Sequence, residues 1–288
     1  MKKFTFKLWA VLLLMLVSLQ TFATDNEYGL KDNIQDGVIL HCFDWTYEQI
    51  KEELPNIAAA GFSAVQTSPA HPREPVGAAW YMLYQPYDYK VGENGLGTKE
   101  GLTELCTEAH QYGVKIIVDV VANHTNGSLS YVASFWQDQS LYHDYQGGID
   151  YSNRWQVTHG RIGMWDLKTK DSRVQEKIKE YVAELKSCGV DGIRWDAAKH
   201  IGLPSEGDTF WQNVPDQTMY NYGEILDGTS GDDTVSEKVE VVSQTTGVQL
   251  HPVAGESSAK AMIYNLQGQR VDANYHGVVV CNGRKYVQ

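Results

Sequence analysis

The sequence repeats one unit three times: a stretch with helical spacing of apolar residues, then a glycine, then a short apolar run. The three glycines are Gly61, Gly113 and Gly189. Glycine is favoured just after a helix because it adopts left-handed backbone dihedrals at low cost. Helices that alternate with buried strands predict a parallel sheet with helices packed outside it. We expect the strands near residues 37–43, 62–67, 114–121, 190–196 and 219–224.

The helices of these units have recognisable starts and inner faces. Thr46 and Gln49 form the spacing of a capping box, which predicts that the first helix begins there. Pro55 lies inside that helix, so it must face outward or kink the helix. Apolar residues spaced three or four apart predict the buried faces: Ile50, Leu54 and Ile57; Leu102, Leu105, Cys106 and Ala109; Val174, Ile178, Tyr181, Val182 and Leu185.

The first residues have the pattern of a secretory signal peptide. Positive residues precede the apolar run 8–19, which is too short for a comfortable membrane span, and Thr21-Phe22-Ala23 ends it with small residues at the cleavage positions. We expect cleavage after Ala23, so that residues 1–23 are removed; an uncleaved anchor is the alternative. No second span follows, and we expect a monomer that is secreted or held at the cell surface.

Charge and cysteine content exclude some classes of function. The formal net charge is −12, and nucleic-acid binding is not expected because phosphate recognition requires a basic patch. The spacing of the 4 cysteines fits no zinc motif. We interpret these cysteines as small buried hydrophobic residues and predict no pairing among them.

Carboxylates follow two neighbouring predicted strands at the edge where active sites of TIM barrels assemble. Asp196 and Glu224 end the fourth and fifth strands. Adjacent strands lie about 4.8 Å apart, close to the roughly 5 Å between the two carboxyl groups of a retaining glycosidase. Arg194 precedes Asp196 by two residues and points to the same side, so its charge should hold Asp196 ionised. A purely structural Arg–Asp pair is the alternative.

Five stretches together resemble the ordered motifs of the α-amylase family of glycoside hydrolases (family 13). They are 80–86 (WYMLYQP), 119–124 (DVVANH), 163–167 (GMWDL), 192–200 (GIRWDAAKH) and 223–224 (GE). The resemblance implies an α/β fold of the TIM (β/α)8 type, with a small excursion domain at about 124–165 after the third strand. It also implies retaining hydrolysis of α-1,4-glucosidic bonds in starch- or glycogen-type glucans.

The same resemblance implies a role for individual residues. Asp196 would be the nucleophile, and Glu224 would protonate the leaving oxygen and then activate water. Arg194 would support Asp196. The residues expected to contact the sugar are Tyr84 and His124 at the cleavage site, and Lys199 and His200 on the leaving-group side.

A calcium ion is also implied by the resemblance. Asn123 and Asp166 match the family's ligands, helped by backbone carbonyls near Val157 and His200. Oxygen ligands from loops suit Ca2+, which would fasten the excursion domain to the barrel. Helix or turn capping by the same two side chains is the alternative.

The sequence departs from the family pattern after residue 228. The family has a third catalytic Asp in a His-Asp pair, but only Asp227, Asp232, Asp233 and Asp272 follow Glu224, none of them after a His. Five predicted strands are too few for eight βα units. We therefore expect a truncated catalytic barrel over 24–228. The alternative function is an impaired relative that at most binds α-glucans.

The last sixty residues differ in composition from the repeated units. Residues 229–260 are polar and are predicted to form a linker. Residues 261–288 are predicted to be β-rich, and they resemble the C-terminal sorting segments of proteins that Bacteroidetes export across the outer membrane. A generic β-hairpin end is the alternative for this tail.

Overall fold

The computed structural model describes residues 26–73, 79–145 and 147–225, and the backbone of four short strands beyond them. The strands are β1 Ile39–Cys42, β2 Ala64–Thr67, β3 Lys115–Val121, β4 Gly192–Asp196, β5 Tyr220–Gly223, β6 Ile263–Asn265, β7 Arg270–Val271, β8 Val278–Cys281 and β9 Arg284–Val287. The α-helices are α1 Tyr47–Ala59, α2 Lys99–Gln111, α3 Arg154–His159, α4 Ser172–Ser187 and α5 Phe210–Asn213.

The first five strands form one parallel sheet in the order β1-β2-β3-β4-β5. Each strand falls within one of the five predicted ranges, so the prediction of alternating helices and parallel strands is confirmed. The register aligns Asp119 on β3 with Arg194 on β4, and Arg194 with Tyr222 on β5. Polar side chains from three neighbouring strands are therefore brought to one level of the sheet.

The local signals at the helix ends act as the sequence indicates. Thr46 and Gln49 form a complete capping box at the start of α1, and Pro55 is exposed, which is the outward-facing outcome. Gly61, Gly113 and Gly189 have φ angles of 86°, 73° and 95°. Only glycine adopts such angles without steric cost, so these three turns define where each helix ends and the next strand begins.

The core lies between the helices and the outer surface of the sheet. Every residue predicted on the inner faces of α1, α2 and α4 is buried. Fully burying one large aliphatic or aromatic side chain contributes about 1.5–3 kcal/mol. The large buried side chains include Trp195 on β4, whose ring meets those of Phe210 and Trp211. Packing on β4 therefore immobilises the strand that carries Arg194 and Asp196.

The other surface of the sheet carries a small separate cluster and a long-range hydrogen bond. Ile34, Ala64 and Ile117 pack there with partly buried residues of β1 and β5. The Tyr222 hydroxyl on β5 donates to the side-chain oxygen of Gln66 on β2. These two strands are not neighbours, so the sheet must curl for the contact to form.

The segment between β3 and α4 contains α3, two short 3-10 helices and two isolated bridges, His124–Asp166 and Tyr142–Leu167. In the tail, β6 to β9 form an antiparallel sheet in the order β7-β6-β8-β9. The predicted signal peptide 1–23 and linker 229–260 lie outside the described residues. Among the described helices, none has both the length and the hydropathy of a membrane span. Cys42, Cys106 and Cys188 are buried free thiols.

Candidate active site

Arg194 lies at the centre of a cluster of three carboxylates. Its Nη1 donates to both oxygens of Asp119, at 2.9 and 2.8 Å, and to Oδ1 of Asp196 at 2.9 Å. Its Nη2 lies 2.5 Å from Oε1 of Glu224. One guanidinium therefore contacts acidic side chains from β3, from β4 and from the residue directly after β5.

Charge balance in this cluster differs from the sequence-based expectation. Burial raises the pKa of Asp196 to about 8, and the negative charge of Asp119 adds to this, while Arg194 opposes it. Burial likewise raises the pKa of Asp119 to about 6 against the effect of Arg194. Arg194 thus acts on Asp196 in the predicted direction, but burial and Asp119 outweigh it, because Arg194 shares its single charge among three carboxylates. Such a cluster favours retention of a proton.

The backbone after Asp196 links the two candidate catalytic carboxylates. Ala197 has a φ of 49°, a left-handed value that is uncommon for a residue with a β-carbon. Its N–H donates to Oε2 of Glu224 at 3.1 Å. The Glu224 N–H in turn donates to the carbonyl of Trp195 at 2.8 Å. The ends of β4 and β5 are thus joined by backbone as well as by Arg194.

A cleft of about 430 Å³ opens above this cluster. It contains all seven residues predicted to act on substrate, namely Tyr84, His124, Arg194, Asp196, Lys199, His200 and Glu224. Aromatic rings form much of its wall, including Phe43, Trp80 and Tyr151. Flat aromatic faces with polar edges suit the stacking of sugar rings.

Tyr84 and His124 support each other at one side of the cleft. The Tyr84 hydroxyl donates to Oδ2 of Asp119 at 3.1 Å, and burial together with the charge of Asp119 raises its pKa. His124 Nε2 donates to the Tyr84 carbonyl at 2.9 Å. Burial lowers the pKa of His124 to about 4, so this imidazole is neutral at pH 7 and can bind a hydroxyl group without carrying charge.

Lys199 and His200 also line the cleft and lie in the 3-10 helix Ala198–His200. The Lys199 ammonium lies 4.8 Å from the centre of the Tyr151 ring. His200 Nδ1 donates to the Val157 carbonyl at 2.8 Å. The two residues therefore contact the excursion segment as well as the cleft.

Asn123 and Asp166 lie together outside the cleft. Both are buried, and Oδ1 of Asp166 and Nδ2 of Asn123 have no hydrogen-bond partner. The other carboxylate oxygen of Asp166 lies 2.6 Å from His143 Nδ1. Burial raises the pKa of Asp166 well above its usual value and lowers that of His143 to about 4.

Asn123 and Asp166 offer some of the donors of a metal site. A buried carboxylate oxygen without a partner, beside an amide that can present its own oxygen, fits a hard cation such as Ca2+. The backbone carbonyl near Val157, one of the predicted ligands, accepts a hydrogen bond from the His200 ring. No group of three or more His, Cys, Asp or Glu in the described ranges could hold a metal, so amide and carbonyl oxygens would be needed.

Comparison with known proteins establishes the family. The family described as "Alpha amylase, catalytic domain" matches residues 44–279. The chain belongs to the α-amylase family. The match continues past residue 228 into the segments predicted to be a linker and a sorting-like tail, and neither of those predictions is confirmed.

Two relatives are α-amylases of bacteria. That of Clostridium acetobutylicum is 40% identical over 227 residues, which covers 72% of this chain and 30% of the relative. That of Butyrivibrio fibrisolvens is 32% identical over 247 residues, covering 72% of this chain and 25% of the relative. The chain thus spans less than a third of the length of these two relatives.

Solved structures of the family share the fold. An α-amylase from Malbranchea cinnamomea superposes with a TM-score of 0.61 at 24% identity, over 73% of this chain and 51% of that one. A complex of α-amylase I from Eisenia fetida with maltohexaose gives a TM-score of 0.61 at 23% identity, over 70% and 48%. The TIM-barrel type of the α/β fold is therefore confirmed.

Two residues of the site were not predicted from the sequence. Asp119 belongs to a predicted motif but was assigned no role, although both of its carboxylate oxygens accept hydrogen bonds from Arg194. His41 lines the cleft, its Nε2 is buried without a partner, and burial and Arg194 lower its pKa to about 4. Its position near the end of the first predicted strand was the signal that could have indicated it.

Proposed function

We propose that this member of the α-amylase family hydrolyses α-1,4-glucosidic bonds in starch-like glucans with retention of anomeric configuration. The contact of Asp196 and Glu224 with the same guanidinium supports this most directly. A retaining pair has its carboxyl groups about 5 Å apart, and contact of both groups with one guanidinium favours such a short separation.

In the proposed mechanism, Asp196 attacks the anomeric carbon while Glu224 gives a proton to the leaving oxygen. Glu224 must turn its Oε1 from Arg194 toward the substrate for this step, since that oxygen lies 2.5 Å from Nη2 in the free protein. Asp196 must be ionised, and Arg194 stabilises that form once Glu224 has moved. Glu224 then removes a proton from the water that releases the sugar from Asp196.

The test compares two isosteric substitutions with a matched control. Asp196→Asn and Glu224→Gln should each lower reducing-sugar release from starch by about 1,000-fold or more, because nucleophile and acid act as a unit. Asp216→Asn is the control, since Asp216 pairs with Lys186 and neither residue lines the cleft. Activity that survives both substitutions would contradict the assignment of the two residues.

The stereochemistry gives a second test. Proton NMR of fresh hydrolysate should show the α-anomer first, and an initial β-anomer would exclude the retaining mechanism. The alternative function, an impaired relative that only binds α-glucans, predicts heat on titration with maltoheptaose but no hydrolysis. It is motivated by the lack of a His-Asp pair after Glu224.

We also propose that Asn123 and Asp166 bind calcium and that the protein is exported. The orphaned Asp166 oxygen supports the first, and the bound ion would neutralise a buried charge where the excursion segment meets β3. The pattern of residues 1–23 supports the second. Mass spectrometry of secreted protein should find Thr24 as the first residue, and a retained Met1 would contradict export by cleavage.

A further inference from the structure

Arg154, the first residue of α3, binds the loop that follows the candidate nucleophile. Its Nη1 donates to the carbonyl of Lys199, and its Nη2 donates to that of Ile201 at 3.0 Å. Its Nε and Nη2 also contact the two oxygens of Glu206, at 2.8 and 2.9 Å. One planar group thus holds two carbonyls and one carboxylate of the segment 197–206.

The same segment is attached to the excursion at further points. Glu206 Oε2 accepts the N–H of Leu203 at 2.8 Å, so the carboxylate that faces Arg154 also closes its own turn. The His200 ring donates to the Val157 carbonyl on α3. Arg154 and Val157 are one helical turn apart, so α3 contacts this loop as a unit.

The conformation of the loop is not one that the backbone adopts freely. It begins at Ala197, whose left-handed φ of 49° costs free energy that surrounding contacts must offset. The loop carries Lys199 and His200 into the cleft directly after Asp196. A contact that fixes this loop therefore determines the positions of Lys199 and His200 in the wall of the cleft.

We propose that Arg154 is a positioning residue that fixes the loop 197–206 and so places Lys199 and His200 against the glucan on its leaving-group side. Arg154 is not among the residues that line the cleft, so it acts through the loop. The task needs arginine, because a lysine ammonium cannot meet two carbonyls and a carboxylate in one plane. The part of the proposal that concerns glucan rests on the proposed function.

The first experiment measures the loop without any substrate. Hydrogen–deuterium exchange of the full chain is compared for wild type, Arg154→Lys, Arg154→Ala and the control Arg173→Ala. Arg173 also bridges two segments, through Asp138 and Asp171, but it too is absent from the cleft lining. The amides of His200 and Ile201 should exchange about tenfold faster in both Arg154 variants and not in the control.

Unchanged exchange in folded Arg154 variants would overturn the proposal. If neither variant folds, Glu206→Gln replaces them, because it keeps the shape of the side chain and removes the charge opposite Arg154. It should accelerate exchange of the same amides about threefold. No acceleration in Glu206→Gln would equally overturn the proposal.

The second experiment separates positioning from general damage. Maltoheptaose places sugars on both sides of the cleaved bond, whereas an aryl α-maltotrioside has only the aryl group on the leaving side. Arg154→Lys should lower kcat/KM for maltoheptaose about tenfold, mainly through KM, and change that for the aryl substrate by less than about twofold. Equal losses on both substrates would overturn the role on the leaving-group side. A wild-type chain that hydrolyses neither would contradict the proposed function, while the exchange result still decides whether Arg154 fixes the loop.

Discussion

Two regions of the molecule bury carboxylates, and they compensate the charge in different ways. In the cleft, Arg194 contacts Asp119, Asp196 and Glu224. At the second site, Asp166 is 99% buried beside His143. Because burial lowers the pKa of His143 to about 4, this imidazole is neutral at pH 7 and supplies no full positive charge.

The two sites differ in how directly a cationic side chain contacts the buried carboxylate: Arg194 contacts its carboxylates, whereas Arg161 acts on Asp166 through its charge. The cleft has too many carboxylates for one guanidinium, and a proton can move among them, as acid–base chemistry requires. At the Asp166 site, one carboxylate oxygen has no hydrogen-bond partner, while Asn123 and the charge of Arg161 oppose the effect of burial on the pKa of Asp166. The proposed calcium ion would complete this compensation. The first arrangement suits catalysis, and the second suits structural stabilisation.

The largest effect should come from removing the cation of the cleft. Arg194→Gln leaves buried Asp119 and Asp196 and half-buried Glu224 without their cation, so we expect the free energy of unfolding to fall by about 3–5 kcal/mol. The loss should be the same with and without calcium. Urea unfolding checks this, with Arg173→Gln as the control, since an exposed ion pair contributes about 1 kcal/mol or less. A loss that calcium reverses would mean that the two regions are not independent.

The second prediction concerns the cation of the Asp166 site. Calcium at 100 times its dissociation constant should stabilise the wild type by about 2.7 kcal/mol, because the ion binds only the folded chain. Asp166→Asn should abolish this gain. In chelator, the same variant should melt no lower than wild type, since it removes an uncompensated buried charge. An identical wild-type melt in calcium and in chelator would remove the calcium proposal.

The smallest effect should be a change in pH dependence. Asp119 raises the pKa of Asp196 through its negative charge, and it also occupies Arg194. Asp119→Asn should therefore lower the pKa of Asp196, and the rise of kcat/KM with pH should move to lower pH by about one pH unit or more. Asp196 can act as a nucleophile only when it is ionised, so a lower pKa of Asp196 moves the rise of kcat/KM to lower pH. A profile that stays in place, or moves to higher pH, would show that Asp119 does not control ionisation in the cleft.

Local patterns were sufficient to predict the elements of the sheet. The spacing of apolar residues and the three glycines located α1, α2 and α4 and the strands that follow them, because these features depend on neighbours within a few residues. The ranges of β1 and β5 were also predicted, whereas the short helices α3 and α5 were not. Pro55 shows the limit of such reasoning, since the sequence allowed either an outward position or a kink. Packing of the whole helix decided for the outward position.

Most residues of the site were predicted from the sequence, but Asp119, His41 and the sharing of Arg194 among three carboxylates were not. Strand ends and family motifs identified most residues of the cleft. They did not show that Arg194 forms an ion pair with Asp119, 75 positions away, as well as with Asp196. Arg154 and its partners are separated by 45 to 52 residues and belong to no motif. Such contacts arise from the path of the loops, which no periodic pattern encodes.

The hydrogen bond between Tyr222 and Gln66 has a consequence for the shape of the reaction chamber. It joins the fifth strand to the second as a chord joins two points of an arc, and so limits how far the sheet can flatten. On a flattened sheet, the inward side chains of β3, β4 and β5 would stand parallel to one another and would not meet. On the curved sheet these side chains converge, and the guanidinium of Arg194 lies at the point where they meet.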